Sequence, residues 1–405
     1  MRMGSRITAR GGIRSVAVDE RRPSGRPTLL VNYWYAHPVG HAIEGLRYAL
    51  GYRAANPEME VSLLLNAGTP VELATCCPSL ARTFAVPFVH FGRLVGDPAA
   101  ALADVPRRWD YVVDNHRAYL PSHDAYAGFR GFYDAAHLHF EPGHGFGLCG
   151  AAPPAYAPHQ QLRLDLPDEA RNAARRILRG RDTISVVLAG HSDARAFYPS
   201  VSSWTLILGG LSRRHPGVAL ALIGKLGPGT ARSTTRIDRA EVDRLLQALP
   251  TAIDCFDRPL MEQLAVVEAS RLFLSPHTGF GFAAVSVGTP WLTISGGQWH
   301  EGFMNGVAFY SVLPDVKRYP CFAWGGPLPL IELDEDGEGP RTPSMCAARI
   351  RADLRELLDA ADLLMAGGLT YEQSLANYFP RLFAAYGGDP SRLFSFDNIH
   401  ERYLP

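Results

Sequence analysis

What the 405-residue chain lacks narrows its function before any motif is read. Neither sign of charge is in excess, because 40 lysines and arginines balance 40 aspartates and glutamates. A polyanion such as nucleic acid, or an anionic membrane surface, is therefore not the expected main partner. No Cys-x-x-Cys pair occurs among the six cysteines, Cys76, Cys77, Cys149, Cys255, Cys321 and Cys346. Cys76 and Cys77 are adjacent and poorly placed for a mutual bridge. The pattern predicts free, mostly buried thiols in a reducing, cytoplasmic compartment rather than a disulfide framework. No apolar run approaches the roughly 20 residues of a membrane helix, so no integral membrane segment is expected. Residues 1–26 carry arginines but no continuous apolar segment of the secretory kind and read as a flexible tail. A G-x-S-x-G nucleophile elbow is also absent, which removes the support for a serine hydrolase.

Length and a 47% apolar composition predict two domains, each able to bury a core. The stretch that organises the chain is 272–294. A short apolar run ends in Ser275-Pro276-His277-Thr278-Gly279, a small-residue segment of helix length follows, and Gly288-Thr289-Pro290 leads into a second apolar run. That order reads as strand, glycine-rich turn, helix, strand. Such a turn presents backbone N–H groups at a helix start beyond the carboxyl end of a sheet, where an anion can be held. Thr278 and Gly279 are thus candidates for a nucleotide diphosphate, with an ordinary βαβ crossover as the competing reading.

Upstream, residues 28–35 form an apolar first strand that breaks at Ala36-His37-Pro38-Val39-Gly40, and a helix with Ile43, Leu46 and Leu50 on one face follows from His41. Further strands are predicted at 59–66, with Asn66 opening its exit turn, and at 88–91 and 111–114. Alternation at these short intervals implies a parallel, doubly wound sheet. The glycine-, histidine- and aromatic-rich segment 119–158 reads as cleft-lining loops. Residues 167–180 carry acids first, arginines last and a glycine stop, the signals of a helix. A second alternation then begins at Thr183. Its first strand exits through Gly190-His191-Ser192-Asp193-Ala194-Arg195, and a helix runs from about Ser202, whose hydroxyl is the predicted cap, to Arg214. Next come a strand at 218–224 exiting through Lys225, a helix at 239–249, a strand at 252–256 and a helix at 261–269. Two helices, 347–365 and 371–386, follow an acidic turn, Asp334-Glu335-Asp336-Gly337, that reads as solvated. The expected division is a tail at 1–26, a first domain at 27–165, a second at 166–340, and helices at 341–405 packing back across both. The fold class is α/β: two doubly wound, Rossmann-like domains facing a cleft, with a helical carboxyl-terminal segment.

Three places resemble the heptosyltransferase family of GT-B glycosyltransferases. Pro38-Val39-Gly40-His41-Ala42-Ile43-Glu44-Gly45-Leu46-Arg47 is similar to the family's first turn and helix. Ala189-Gly190-His191-Ser192-Asp193-Ala194-Arg195-Ala196-Phe197-Tyr198-Pro199, with Trp204 downstream and the run 218–224 after it, is similar to the loop and helix that open its donor domain. Ser275-Pro276-His277-Thr278-Gly279, continuing to Gly288-Thr289-Pro290, is similar to its signature of an acid, Ser or Thr, Gly, a helix and Gly-x-Pro. Two positions depart from the pattern: His41 stands where the family has an aspartate proposed as base, and His277 where the signature has an aspartate.

The resemblance implies an inverting, metal-independent transfer of a hexose or heptose from a nucleotide-diphosphate sugar to a hydroxyl of a small-molecule or glycan acceptor. A neutral imidazole, with an ordinary pKa near ~6.5, suits removal of the hydroxyl proton. His41 is the first choice and His37 the second, with Glu44 and Asp114 as groups that could orient the ring. The donor side would draw on Ser192, Arg195, Lys225, His277, Thr278, Gly279 and Glu301. Asn66, Asp114 and His116 are acceptor-side candidates. No metal or other cofactor is expected: the acidic turn at 334–337 lies far from the strand-end motifs, and His137, His139 and His144 lack a partner at ligand spacing. Two other readings share the fold, a nucleotide-sugar epimerase and a non-catalytic partner protein with a vestigial site.

Overall fold

A computed structural model of the chain describes residues 25–33, 39–87, 89–90, 93–94, 98–106, 109–113, 154–157, 160–190, 195–226, 235–294, 304–316, 331–393 and 396–405. The amino-terminal half contains strands β1 (Thr28–Tyr33), β2 (Glu60–Asn66), β3 (Arg82–Val86), β4 (Val89–His90), β5 (Arg93–Leu94) and β6 (Tyr111–Val113), with helices α1 (Val39–Ala55) and α2 (Pro98–Ala101). Four strands form a sheet in the order β3-β2-β1-β6. All three pairings are parallel, with Val31 opposite both Leu63 and Val113. The apolar runs of β1 and β2 are continuous because both faces of the sheet are covered, as parallel strands require. Leu29, Val31, Leu63 and Leu65 pack with Ile43 and Leu46 of α1. Leu30 and Leu64 point the other way, onto Val86, Val105 and Trp109.

One strand prediction is corrected. Val89–His90, within the predicted 88–91, pairs antiparallel with Arg93–Leu94 as a separate two-stranded ribbon. The edge strand beside β2 is instead β3, in which Arg82, Thr83 and Ala85 are exposed and only Val86 is buried. An edge strand faces water along much of its length, so its apolar signal is weak.

The second half has β7 (Thr183–Val187), β8 (Ala219–Gly224), β9 (Ala252–Phe256), β10 (Leu272–Pro276), β11 (Trp291–Ile294) and β12 (Phe309–Val312) in one parallel sheet. Their order is β12-β11-β10-β7-β8-β9. From β7 the chain winds outward through β8 and β9, then returns to β10 on β7's other side and winds outward again. The reversal between β7 and β10 opens a crevice at the carboxyl ends of those strands, the place where doubly wound sheets hold ligands. The intervening helices are α3 (Asp168–Leu178), ahead of β7, then α4 (Val201–Arg214), α5 (Arg239–Ala248), α6 (Leu260–Glu268) and α7 (Gly279–Val285). A short hairpin, β13 (Glu332–Leu333) and β14 (Pro340–Arg341), precedes α8 (Ala347–Met365) and α9 (Tyr371–Ala385). Ile207, Leu208 and Leu211 of α4 share one core with Ile350, Leu357 and Leu364 of α8. On the opposite face a single apolar cluster runs from α1 through Phe282 and Ala283 of α7 to Tyr378 and Phe379 of α9, so it joins the two halves. No described helix is long and apolar enough to cross a membrane.

One helix start and the acidic turn differ from expectation, and both lead to the hairpin. Helix α4 begins at Val201, capped by the Ser200 hydroxyl, which accepts the Ser203 N–H at 3.0 Å, and not by Ser202. The Ser202 hydroxyl donates to Glu338 at 2.6 Å, and the same carboxylate accepts the N–H groups of Val201 and Ser202 at 2.9 and 3.1 Å. The acidic turn is not simply solvated. Asp334 is only 4% exposed, and its two oxygens accept the Ala347 N–H, each at 3.0 Å, at the start of α8. Helix N-termini have N–H groups without intrahelical partners, and here two acidic residues from one hairpin supply them. Among the described cysteines, Cys76, Cys77, Cys255 and Cys346 are buried free thiols.

Candidate functional site

Helix α1 starts beyond β1 and helix α7 beyond β10, and the two starts touch. A methyl group added to Gly40 would stand 2.7 Å from Phe282 Cδ2 and 3.2 Å from the Gly279 Cα; one added to Gly279 would stand 3.3 Å from the Gly40 nitrogen. The backbones approach so closely that a side chain at Gly40 would force a shift and one at Gly279 would be tight. His41 is the next residue of α1 and is half-buried. The imidazole expected to act as base and the turn expected to hold the diphosphate are thus brought to one junction, although they come from opposite halves of the chain. Glu44 is committed elsewhere: buried on α1, it accepts the Tyr48 hydroxyl.

The turn itself is more closed than its sequence suggests. Thr278 is 3% exposed, and its hydroxyl oxygen accepts the Gly281 N–H at 3.0 Å as the cap of α7. His277 is buried against Trp291, with ring centroids 5.8 Å apart. The Trp291 indole N–H donates to Ser275 at 3.0 Å, which fixes the plane on which the histidine rests. Val39 and Gly40 stand in front of Gly279. On the other side Thr278 borders the crevice between β7 and β10. There it meets Gly190, just past β7, and the hydroxyl of Tyr198: a methyl on Gly190 would lie 2.8 Å from that oxygen and 3.2 Å from Thr278 Cγ2. Tyr198 was not among the residues singled out from sequence. Its sequence signal is its place near the end of the run 189–199 that resembles the loop opening the donor domain, with no role assigned to it there.

The two cations expected on the donor side are already paired. Arg195 makes a fork of two hydrogen bonds to Glu241, at 3.1 and 2.7 Å, and lies 3.7 Å from Asp238. This ties the 3-10 turn Arg195–Phe197 to the first turn of α5, whose cap is Asp238. Lys225 lies 3.2 Å from Asp257. Both cationic side chains are about half exposed, at 51% and 52%, so neither ion pair is locked in place by burial and water can take over for either partner. Asn66 is buried at the end of β2, where its side-chain oxygen accepts the Gly68 N–H at 2.8 Å and shapes the exit turn. His37, Ser192, Asp114, His116 and Glu301 lie outside the described residues. Among the described residues there is no group of three or more His, Cys, Asp and Glu side chains that could hold a metal ion.

Neither a family model nor a curated protein sequence matches this chain. Solved structures do. The glycosyltransferase family 9 protein of Veillonella parvula is similar over 84% of this chain and 97% of its own, at 13% sequence identity and a TM-score of 0.52. The fold is that of the GT-B glycosyltransferases. The ADP-heptose lipopolysaccharide heptosyltransferase II of E. coli is similar over 83% of this chain and 99% of its own, at 11% identity and a TM-score of 0.47. The heptosyltransferase WaaC of E. coli, solved with ADP, covers the same shares at 11% identity and a TM-score of 0.46. At these identities the likeness is one of architecture. The GT-B fold expected from three short motifs is the fold the chain adopts, with two doubly wound sheets and a helical carboxyl-terminal segment.

Proposed function

We propose that the protein is a glycosyltransferase that moves a sugar from a nucleotide-diphosphate donor to a hydroxyl of a small-molecule or glycan acceptor, with inversion and without a metal. The observation that supports this reading is the meeting of the α1 and α7 starts in a GT-B fold, with His41 following Gly40 in α1 and Thr278, the cap of α7, bordering the β7–β10 crevice. In this scheme the donor lies along the second sheet with its diphosphate at the crevice, and the acceptor lies on the first sheet. The His41 imidazole, in its neutral form, takes the acceptor's hydroxyl proton as that oxygen bonds to the anomeric carbon. The bond from the anomeric carbon to the phosphate oxygen breaks on the opposite face, and the electron pair leaves with the nucleoside diphosphate. Charge growing on that leaving group is met by hydrogen-bond donors at the crevice. Arg195 and Lys225 can contribute only by turning from Glu241 and Asp257 toward the ligand.

Two measurements test the proposal. Thermal unfolding in the presence of ADP, GDP, UDP, CDP and dTDP should show stabilisation by at least one of them, since a ligand that binds only the folded state raises its melting temperature. Flat profiles across all five would refute nucleotide-sugar chemistry at this crevice. With the donor class identified in this way, His41→Ala should reduce transfer by about 10² to 10⁴ while leaving nucleotide binding largely intact, the usual size of a general-base contribution. Unchanged turnover would remove His41 from the mechanism.

A further inference from the structure

We propose that the Tyr198 hydroxyl is a direct ligand of the donor's diphosphate, an inference that rests on the function proposed above and adds to it a residue given no role from the sequence. Tyr198 is 6% exposed, so most of its ring is packed away. Its polar atom is not buried at random. The hydroxyl lies against Gly190, past the end of β7, and beside Thr278, past the end of β10. Those are the two strands between which the sheet order reverses. The phenol thus carries its single polar group to the mouth of the crevice where ligands of doubly wound sheets bind.

Gly190 supports the same conclusion. Its backbone is not in the left-handed region that favours glycine, so nothing in its φ demands the residue. Room demands it, because any side chain would displace the Tyr198 hydroxyl and press on Thr278.

The phenol is also presented from backbone held on both sides. The Tyr198 N–H donates to the Arg195 carbonyl at 3.1 Å, and the Ala196 carbonyl accepts the Thr342 N–H at 2.9 Å. Past Tyr198, Ser200 caps α4 and Glu338 grips the amides of Val201 and Ser202. A donor fixed in this way loses little freedom when a ligand arrives. A phenol O–H can donate to a phosphate oxygen without bringing a charge that another group must balance. That matters at a site whose two nearby cations, Arg195 and Lys225, are each paired with a carboxylate.

The test is Tyr198→Phe, which removes one oxygen and keeps the ring. Titration calorimetry with ADP, GDP, UDP, CDP and dTDP first identifies the diphosphate that wild type binds. A hydrogen bond to a charged phosphate is worth about 10-fold to 100-fold in affinity, so Tyr198→Phe should bind that diphosphate at least 10-fold more weakly, with its melting temperature unchanged. Gly190→Ala should weaken the same ligand by a comparable factor through displacement of the phenol. Wild-type affinity in Tyr198→Phe would overturn the inference while leaving the proposed function standing. Absence of binding by wild type to all five diphosphates would overturn both. A loss in Tyr198→Phe accompanied by an equal fall in melting temperature would make the residue structural and would also overturn the inference.

Discussion

Replacing Gly40 by alanine sets two effects of opposite sign against each other at the contact between the two halves. Within a helix alanine is better than glycine by about 1 kcal/mol, and less of that gain applies in the first turn, where Gly40 sits. Against it, the new methyl carbon would lie 2.7 Å from Phe282 Cδ2 and 3.2 Å from the Gly279 Cα. Carbon atoms prefer roughly 3.5–4.0 Å, so one of the three groups must move by most of an ångström. Phe282 is 3% exposed and packs edge-on against Trp291, with centroids 6.3 Å apart. Trp291 is fully buried and hydrogen-bonded to Ser275, so the ring has no room to swing. The Gly279 Cα is backbone. What remains is a shift of α1 away from α7, an overpacking cost of about 1–3 kcal/mol. The steric term outweighs the propensity term, and Gly40→Ala should lower the melting temperature by a few degrees, at about 2–4 °C per kcal/mol for a domain of this size. Gly209→Ala is the matched control. It lies inside α4, and its new methyl would meet only the Arg213 Nη1, at 3.3 Å, the free end of a long side chain that can step aside. That variant should melt higher than wild type by about 0.5–1 kcal/mol in stability. Differential scanning calorimetry of the pair decides the matter. If Gly40→Ala is stabilised as Gly209→Ala is, the two helices do not meet through glycine faces and the junction proposed for catalysis is not formed.

Two further predictions concern pH. Burial holds the Asp334 carboxyl above its ordinary range, with the Ala347 N–H pulling the other way. The folded state therefore binds this proton more readily than the unfolded state, so the contribution to stability is full below the ordinary value of 3.8 and is lost as pH rises through the folded value. Asparagine keeps an acceptor for Ala347 without the buried charge. Urea denaturation should find Asp334→Asn no less stable than wild type at pH 7, with any advantage gone by pH 4, and Asp334→Ala weaker by about 1 kcal/mol at either pH; an asparagine variant as weak as alanine at pH 7 would contradict this. His400 works in the opposite direction. Burial beside Phe379, at 5.9 Å between ring centroids, depresses its pKa below 6.5, and Glu401 opposes the shift. The folded state then binds fewer protons than the unfolded one, so the stability supplied by the neutral ring is present above 6.5 and is lost as pH falls below that value and through the folded one. Between pH 7.5 and 5.5 wild type should lose more melting temperature than His400→Leu, and equal slopes would count against the assignment.

The parts of the fold that were legible in the sequence are those set by local pattern. Strands β1, β2, β7, β8 and β10 are covered on both faces and so are written as unbroken apolar runs. The ends of α3 and the start of α9 follow from turn and capping residues a few positions away. What escaped depends on partners far along the chain. Glu338 reaches Ser202 across 136 residues, and Asp334 reaches Ala347 from across a hairpin; nothing in an acidic, glycine-containing turn distinguishes a carboxylate bound to a helix start from one facing water. Tyr198 lay within a run that resembles the donor-domain loop, but its approach to Thr278, past the end of β10, depends on the sheet order that sets β7 beside β10.

The helix start at Thr278 shows how far a motif can take an argument about function. Ser275-Pro276-His277-Thr278-Gly279 announces a capped helix beyond a strand, and the structure supplies one. The same residues would be written whether the space before the helix were filled by phosphate or by another helix. Here Val39 and Gly40 occupy part of it, the capping oxygen is turned inward to Gly281, and α7 has only seven residues over which peptide dipoles can add. In the proposed mechanism a diphosphate is therefore held from the β7 side of the crevice, by groups such as Gly190 and Tyr198, as much as by the amide end of α7. Contact between Gly40 and Gly279 takes on the other duty in that proposal: it sets the spacing between the start of α1, from which His41 follows, and the start of α7 at the crevice.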